Sequence, residues 1–288
     1  MATTLTDRTS PTTGTEHADN VLGRVLATNR TAVMGVLNVT PDSFSDGGRF
    51  LQPPAAIEQA RRLVAEGADI VDVGAESTRP YGGAVPVSLE EERERLARIL
   101  PAVIDLGVPV SIDTLKAPIA AWALDAGAAI VNDVWGLQRD PEMARVVADH
   151  GALVIIMHNR ESADPSIDIV ADVAEFFARS LEVAAKAGIA NDRLVLDPGI
   201  GFGKTPEQSI TCIARLDAWQ NFNLPLLVGA SRKRFIDSIA RSAPMERLGG
   251  SLAAHLFAAE HGAAIIRVHD VGPTIQALAV AGAIGRAR

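Results

Sequence analysis

The chain has 288 residues, of which 48% are hydrophobic and 22% are charged, and its net charge is -8. This composition excludes wholesale disorder, and no run of 18 or more residues is apolar enough to predict a membrane span. The acidic balance argues against a nucleic-acid partner. A single cysteine, Cys212, excludes an internal disulfide and favours a reducing compartment, so we predict a cytoplasmic protein.

Residues 1–22 are rich in Thr and other polar residues and contain few large apolar side chains. Such a segment cannot bury enough apolar surface to offset the entropy lost on ordering. It also has no apolar stretch of the kind found in a secretory signal. We predict a disordered tail over residues 1–22 and one folded domain over residues 23–288.

Eight short apolar runs recur along the rest of the chain, at 33–38, 70–74, 108–113, 128–133, 153–158, 193–197, 224–229 and 264–270. Continuous Val- and Ile-rich runs are typical of parallel strands that are covered on both faces. The segments between them have helical spacing. From Ser88, a predicted helix cap, the residues Leu89, Leu96, Ile99 and Leu100 fall on one side. The count of eight predicts a single-domain (β/α)₈ TIM barrel, and the alternative is a doubly wound open α/β sheet.

Nearly every apolar run ends in, or is directly followed by, residues capable of binding or catalysis. They are Asn38, Glu76, Thr78, Arg79, Asp113, Asn132, Asp133, Met157, His158, Asp197, Ser231, Lys233, Arg267 and His269. The carboxyl ends of barrel strands face one mouth, where barrel enzymes place their active sites. In an open sheet the same residues would spread along a line too long for one ligand, so their position also favours the barrel.

Two loops have compositions that suggest ligand binding. The stretch 197–205, DPGIGFGKT, is neither a P-loop, which would need Gly where Pro198 stands, nor a dinucleotide-binding loop, because its glycine spacing is wrong. It therefore presents Asp197 and a glycine turn that carries Phe202. The loop 38–50 is long and polar, which is typical of a lid, and Asn38 offers the kind of oxygen that Mg²⁺ shares with substrate phosphates.

Three consecutive basic residues, 232–234, form a local concentration of positive charge in an otherwise acidic chain. In the stretch 229–235, GASRKRF, we predict that Ser231 caps a helix whose free N–H groups bind an anion beside the basic residues 232–234. Arg267 and His269 lie at the end of the last apolar run, 264–270. Barrels often hold a phosphate between the loops after strands 7 and 8, and these residues predict such a site.

The buried acids leave two interpretations open. Asp113, Asn132 and Asp197 could bind an aminopyrimidinone ring through paired N–H bonds, or the two carboxylates could act as the acid–base pair of a sugar hydrolase. His150 and His158 lack metal-ligand spacing and are interpreted as structural or rim residues. Cys212 is predicted to lie in a helix and to be buried in the hydrophobic core.

Seven motifs, in order, resemble those of the dihydropteroate synthase family. They are NVTPDSFSDGG, DVGAESTRP, SIDT, NDV, LDPGIGFGK, GASRKRF and RVHDV, and the resemblance covers about residues 31–285. It implies a barrel that joins dihydropterin-methyl pyrophosphate to para-aminobenzoate with the help of Mg²⁺, and a homodimer. Because the electron-rich pterin ring can stabilise positive charge on the methylene carbon, we hypothesise a dissociative displacement in which closure of loops 38–50 and 76–88 excludes water.

The resemblance further implies a role for each matching residue. The pterin would be bound by Asp113, Asn132, Met157, Asp197, Gly229 and Lys233. The para-aminobenzoate would be bound by Thr78, Arg79, Pro80, Phe202, Ser231, Lys233 and Arg234. The pyrophosphate would be bound by Asn38, Thr78, Arg267 and His269, with Asn38 also the metal ligand. The catalytic residues would be Asp46, Arg79, Asp113, Asp197 and Lys233.

The sequence departs from the family pattern in two places, and two alternative functions remain to be weighed. The stretch 81–87 is about two residues longer than is usual and adjoins the expected para-aminobenzoate pocket, which suggests reduced sulfonamide sensitivity. Arg234 stands where serine is common, so the contact with the carboxylate of para-aminobenzoate is expected to differ in kind. The favoured alternative for both departures is ordinary family variation. One rival function is a pterin-binding methyltransferase domain, which does not need the SRK and RVH motifs. The other is a non-catalytic paralogue that binds a pterin or a partner protein, and the complete set of polar residues argues against it.

Overall fold

The computed structural model describes residues 15–28, 30–39, 53–76 and 87–287. Eight strands form a closed barrel in chain order, and each is parallel to its neighbours. They are β1 Ala32–Asn38, β2 Ile70–Gly74, β3 Val110–Asp113, β4 Ile130–Asp133, β5 Leu153–Met157, β6 Leu194–Asp197, β7 Leu226–Val228 and β8 Ala263–Val268. The eight predicted runs and the (β/α)₈ barrel are confirmed, and the open sheet is excluded because β1 pairs with β8.

Helices surround the barrel. Those in the described residues are α1 Thr15–Leu26, α2 Pro53–Ala65, α3 Leu89–Ala97, α4 Leu100–Ile104, α5 Ala117–Asp125, α6 Met143–His150, α7 Ile169–Ala187, α8 Pro206–Ala214, α9 Arg234–Ile239, α10 Leu248–Glu260 and α11 Val271–Arg286. Ser88 caps α3 by accepting the N–H of Glu91 at 3.1 Å. The helical stretch after Ser88 divides near Pro101, which has no N–H to donate to the carbonyl of Ala97. None of the helices described is both long and apolar enough to cross a membrane.

The barrel wall separates two apolar clusters. Val33, Val71 and Val131 belong to the outer cluster, between strands and helices. Their neighbours along the strands, among them Ile70 and Ile130, belong to the inner cluster. This follows from the alternation of side chains along a strand. The inner cluster fills the amino-terminal half of the barrel and leaves the carboxyl ends of the strands for polar side chains.

The amino-terminal helix departs from the sequence prediction. A disordered tail was expected through residue 22, but residues 15–22 lie in α1, and Val21 and Val25 are buried against the inner cluster that contains Met34. The prediction rested on the average composition of residues 1–22, which is polar. The apolar residues begin at its end, in the sequence VLGRVL at 21–26, and they can be buried on one side of a helix. Residues 1–14 lie outside the described residues.

Candidate active site

A layer of polar side chains lies inside the barrel, on the carboxyl-terminal side of the inner cluster. Five strands supply it, with Asp72 from β2, Asp113 from β3, Asn132 from β4, Asp197 from β6 and Arg267 from β8. The three carboxylates and the amide are at most 5% exposed. The predicted residues Asp113, Asn132, Asp197 and Arg267 are therefore brought together because closure of the sheet directs the ends of all strands to one mouth.

Arg267 links two of these strands. Its Nε donates to Oδ2 of Asp72 at 2.7 Å, and its Nη2 donates to Oδ2 of Asp113 at 2.9 Å. The amide of Asn132 also donates to Oδ2 of Asp72, at 3.4 Å. A planar guanidinium suits two carboxylates because its donors have a fixed fork geometry. In this structure Arg267 is thus a bridge between buried acids, and its contact with a diphosphate stays a prediction.

Asp72 was missed in the sequence. It lies within the apolar run 70–74 and not at its end, so a search for polar residues at strand ends passes over it. The alternation along β2 could have found it, because Ile70 belongs to the inner cluster and Val71 to the outer one. Asp72 must then point inward. Its 0% exposure makes it a full member of the polar layer.

Several polar atoms of the layer have no hydrogen-bond partner among the described residues. They include Oδ1 of Asp72, Oδ1 of Asp113 and the hydroxyl of Ser111. A buried carboxylate oxygen without a donor costs free energy, so such atoms are expected to have a partner in the functional state. A ligand that carries N–H groups would satisfy them.

Asp197 is held by the glycine turn that follows it. The N–H of Gly199 donates to Oδ1 of Asp197 at 2.7 Å. Burial raises the pKa of Asp197 to about 6, against the opposing effects of this hydrogen bond and of Lys233 and Arg267. One carboxylate oxygen is thus fixed by the backbone, and the carboxylate remains mostly ionised at neutral pH.

Phe202 and Lys233 lie together beside this turn. Nζ of Lys233 is 4.0 Å from the centroid of the Phe202 ring, which is cation–π geometry. Phe202 also packs with Met157 and Val134 in a small apolar cluster. The predicted residues Met157, Phe202 and Lys233 therefore share a region with Asp197, and a flat aromatic ligand would find an apolar surface next to the acids.

The predicted capping role of Ser231 is wrong. The helix α9 begins at Arg234, its cap position is Lys233, and no side chain caps it. The hydroxyl of Ser231 instead accepts the backbone N–H of His269 at 3.2 Å and lies 3.0 Å from its Nδ1. Arg232 has a left-handed φ of 59° and forms an ion pair with Asp270 at 2.6 Å. The turn therefore ties the loops after β7 and β8 to each other and places Ser231 beside His269.

The other predicted residues divide into two groups. Asn38 ends β1 and Gly229 follows β7, both half-buried at the mouth, and Arg234 is exposed at the start of α9. The remaining predicted residues lie outside the described residues; they are Asp46, Thr78, Arg79 and Pro80. Most of the longer stretch 81–87 also lies outside the described residues. The sulfonamide expectation that rests on that stretch stays a prediction.

A partly buried ion-pair cluster flanks the second loop of the mouth. Nζ of Lys116 donates to Glu76 at 2.5 Å and to Glu92, a 0% exposed residue, at 2.6 Å. Glu76 also accepts the N–H of Val87 at 3.3 Å, and Glu92 accepts the hydroxyl proton of Thr114. These contacts hold together the residues that precede and follow positions 77–86.

The substitution Gly199→Ala should lower both stability and activity. The φ of Gly199 is 66°, and a Cβ there would overlap the carbonyl oxygen of His158. We expect a loss of about 1–3 kcal/mol in the free energy of unfolding, measured by urea denaturation, with weaker ligand binding because the turn also holds Asp197. Gly107→Ala is the control, because its φ is 80° but nothing lies within 4 Å of the added Cβ. Equal effects of the two substitutions would contradict this prediction.

Ligand binding at the acids should weaken on acidification. Burial, opposed by Arg267, raises the pKa of Asp113 to about 7, and that of Asp197 is raised to about 6. Both groups take up protons as the pH falls through this range, and a protonated carboxyl accepts N–H bonds poorly. We expect the affinity for a ligand that donates N–H bonds to fall about tenfold or more between pH 8 and pH 5.5, measured by calorimetry. An affinity that is unchanged over this range would contradict the assignment.

The sequence profile of one protein family, described as pterin binding enzyme, matches residues 34–269. A dihydropteroate synthase of Synechocystis sp. is 45% identical over 265 residues, which cover 89% of this chain and 91% of that protein. The residues matched by the family profile include all the strand ends that supply the polar layer.

Two solved structures of a dihydropteroate synthase from Xanthomonas albilineans are also similar. The structure with 4-aminobenzoic acid has a TM-score of 0.85 and 42% identity, and covers 89% of this chain and 94% of its own. The structure in complex with 7,8-dihydropteroate has a TM-score of 0.83 and 39% identity, and covers 92% and 98%. The similarity extends over nearly the whole of each chain.

Proposed function

The chain belongs to the dihydropteroate synthase family of pterin-binding enzymes, and we propose that its polar layer binds the pterin during condensation with para-aminobenzoate. The reaction is that of a transferase in folate biosynthesis. Dihydropterin-methyl pyrophosphate and para-aminobenzoate give dihydropteroate and pyrophosphate. Because the chain belongs to this family, the alternative that the two carboxylates are the acid–base pair of a sugar hydrolase is excluded.

The observation that carries the proposed site is the set of buried acceptors. Asp113 and Asp197 are ionisable carboxylates that are 5% and 4% exposed, and Oδ1 of Asp113 has no partner among the described residues. The pyrimidine edge of a pterin offers amino and ring N–H donors, and a carboxylate accepts two of them in parallel. Asn132 can donate and accept at once, which suits the alternating donors and acceptors of such an edge.

The order of the cations along β8 supports the placement of the diphosphate. Arg267 contacts the acids of the polar layer, and His269 lies two residues further toward the mouth. A substrate whose ring lies between Asp113 and Asp197 would therefore extend its diphosphate past Arg267 toward His269. Lys233 and Phe202 flank Asp197 and would contact the pterin ring or the aryl amine.

We propose a dissociative displacement at the pterin methylene carbon. The bond from this carbon to the diphosphate oxygen breaks first, and the diphosphate leaves with the electron pair. The aryl amine nitrogen then bonds to the same carbon and loses a proton. When ionised, Asp113 and Asp197 stabilise the positive charge on the pterin, and Arg267 and His269 stabilise the charge that develops on the leaving group. No enzyme nucleophile takes part.

The described residues fit Mg²⁺ only as an ion shared with the substrate. No group of three or more His, Cys, Asp and Glu side chains in this part of the chain could hold a metal by itself. Mg²⁺ is often bound through one or two protein oxygens together with substrate phosphates and water. We propose that the amide oxygen of Asn38, at the end of β1, is such a ligand. When bound, the ion neutralises charge on the diphosphate.

Pyrophosphate release tests the proposed function. The purified chain is mixed with dihydropterin-methyl pyrophosphate, para-aminobenzoate and Mg²⁺, and pyrophosphate is measured over time. Release that depends on the aryl amine is expected. Tight pterin binding without release would favour the non-catalytic paralogue. Release that is unchanged in Asp113→Asn would contradict the assigned site.

We also propose a cytoplasmic homodimer. The helices α10 and α11 expose large apolar side chains, with Phe257 40%, Val280 56% and Ile284 57% exposed. Contact between copies would cover such side chains. Light scattering coupled to size-exclusion chromatography would measure the mass, and a monomer at micromolar concentration would contradict the dimer. Cys212 is buried in α8 as predicted, in keeping with a chain that needs no disulfide.

A further inference from the structure

A buried lysine lies beneath the glycine turn of the site. Lys204 is 2% exposed and follows this turn directly. Its Nζ donates to the carbonyl of Gly199 at 2.9 Å and to the carbonyl of Phe202 at 3.2 Å. Burial lowers the pKa of Lys204 to about 8, which shows that the ammonium group is costly to keep there. The proposed reaction does not use this group directly.

Lys204 is compensated by a polar array that leads away from the substrate. Its Nζ is 2.6 Å from Nδ1 of His158, and Nε2 of His158 is 2.9 Å from Asp172, which also binds Arg160 at 2.7 Å. Burial, reinforced by Lys204, lowers the pKa of His158 to about 3, so the imidazole is neutral. Because Nδ1 accepts from an ammonium group, the ring proton lies on Nε2 and is donated to Asp172.

Two sets of hydrogen bonds connect Lys204 and His158 to Asp197. Gly199 donates its N–H to Oδ1 of Asp197 at 2.7 Å and gives its carbonyl oxygen to Lys204. His158 also donates its backbone N–H to the carbonyl oxygen of Asp197 at 2.8 Å. Lys204 and His158 therefore fix both the backbone of Asp197 and the turn that orients its carboxylate.

Packing alone does not explain a charged group in this place. Apolar side chains of similar volume often replace buried charges without loss of stability. The positive charge of Lys204 does act on Asp197, where it favours the ionised carboxylate together with Lys233 and Arg267. The charged and titratable groups that face Lys204 among the described residues are His158 after β5, Asp172 and Arg160 on the α7 side, Cys212 of α8 and Asp197 of β6.

We propose that Lys204 is a positioning residue for the reaction: it holds the Gly199 turn so that Asp197 presents an ionised, correctly oriented carboxylate to the pterin. His158 and Asp172 keep the ammonium group in place. This inference rests on the proposed role of Asp197 in pterin binding. It predicts that the effect of Lys204 on pterin affinity disappears when Asp197 can no longer act as a carboxylate.

The test is a double-mutant cycle with Lys204→Met and Asp197→Asn. The dissociation constant of dihydropterin-methyl pyrophosphate is measured by calorimetry from pH 5.5 to pH 9, without para-aminobenzoate. Lys204→Met should weaken binding about tenfold or more and move the acidic midpoint upward. In the Asp197→Asn background the same substitution should change affinity less than about twofold. Lys186→Met, at an 80% exposed lysine, is the matched control and should change nothing.

The outcomes separate this inference from the proposed function. If Asp197→Asn alone leaves pterin affinity unchanged, the assigned role of Asp197 is wrong. If Asp197→Asn weakens binding but Lys204→Met does not, or if the two effects simply add, the positioning role of Lys204 is overturned. Should Lys204→Met fail to fold, Lys204→Arg decides, because it keeps the charge and changes the geometry. It should weaken pterin binding with an unchanged acidic midpoint, and wild-type affinity would overturn the proposal.

Discussion

The substitution Arg267→Met is expected to lower the free energy of unfolding by about 3–5 kcal/mol at pH 8 and to abolish measurable turnover. Removal of the guanidinium leaves Asp72 and Asp113 buried beside each other without their shared cation, which is the costly way to break a buried ion pair. The loss should be smaller at pH 5, because Arg267 holds down the pKa of Asp113 and without it this carboxyl takes up a proton more readily. Urea denaturation at both pH values measures the difference.

Two further variants make the result interpretable. Arg267→Lys keeps one positive charge but cannot bridge two carboxylates with a planar fork, so it should recover part of the stability and little of the activity. Arg98→Met removes an exposed arginine that forms a surface ion pair with Glu94 and should cost less than about 1 kcal/mol. If Arg267→Met is as stable as Arg98→Met, or is more destabilised at pH 5 than at pH 8, the bridge does not have the assigned role.

Asp197→Asn is expected to lower kcat/KM by about 10²–10³-fold, with most of the loss in the KM for the pterin substrate. Asn can still accept the N–H of Gly199 through its oxygen, so the turn should keep its shape. The amide nitrogen of Asn then replaces the second carboxylate oxygen, so an NH₂ donor faces the N–H donors of the pterin. Two donors that face each other without an acceptor cost several kcal/mol of binding free energy. Steady-state kinetics and calorimetric pterin binding measure the two effects.

The control for this variant is a second buried carboxylate. Asp133 accepts the N–H groups of Trp135 at 2.9 Å and Leu137 at 2.7 Å, and its pKa is raised to about 6 by burial, much as for Asp197. Asp133→Asn should lower stability but leave the KM for the pterin within about twofold of wild type. Equal kinetic losses in the two variants would mean that buried acids support the fold and not the ligand.

The acids of the site were predictable because of where they stand in the sequence. Asp113 and Asp197 end strands whose apolar runs are unmistakable, and parallel strands in a barrel must point their ends to one mouth. Asp72 was not found in the same way, because it lies inside a run and only its inward orientation makes it part of the site. Lys204 was not found either, because no local pattern shows that a lysine after a glycine turn will be buried.

The capping role given to Ser231 failed for a related reason. A serine before a basic stretch is a common helix start, but the hydroxyl of Ser231 binds the loop after β8 instead. His269, its partner, is 38 residues away in the sequence. A competition between a local cap and a distant hydrogen bond is decided by how the strands close, which the local sequence does not contain.

The amino-acid sequence by itself determined the number and order of the strands, the barrel and the chemical types gathered at its mouth, because these depend on hydrophobic periodicity and on residues adjacent to it. The tertiary structure decided which of these side chains pair. The bridge from Arg267 to Asp72 and Asp113, and the array from Lys204 through His158 to Asp172, join residues from distant parts of the chain. Closure of the barrel brings these groups within hydrogen-bond distance. Burial then strengthens the electrostatic interactions between them, because the local dielectric constant is lower than that of water.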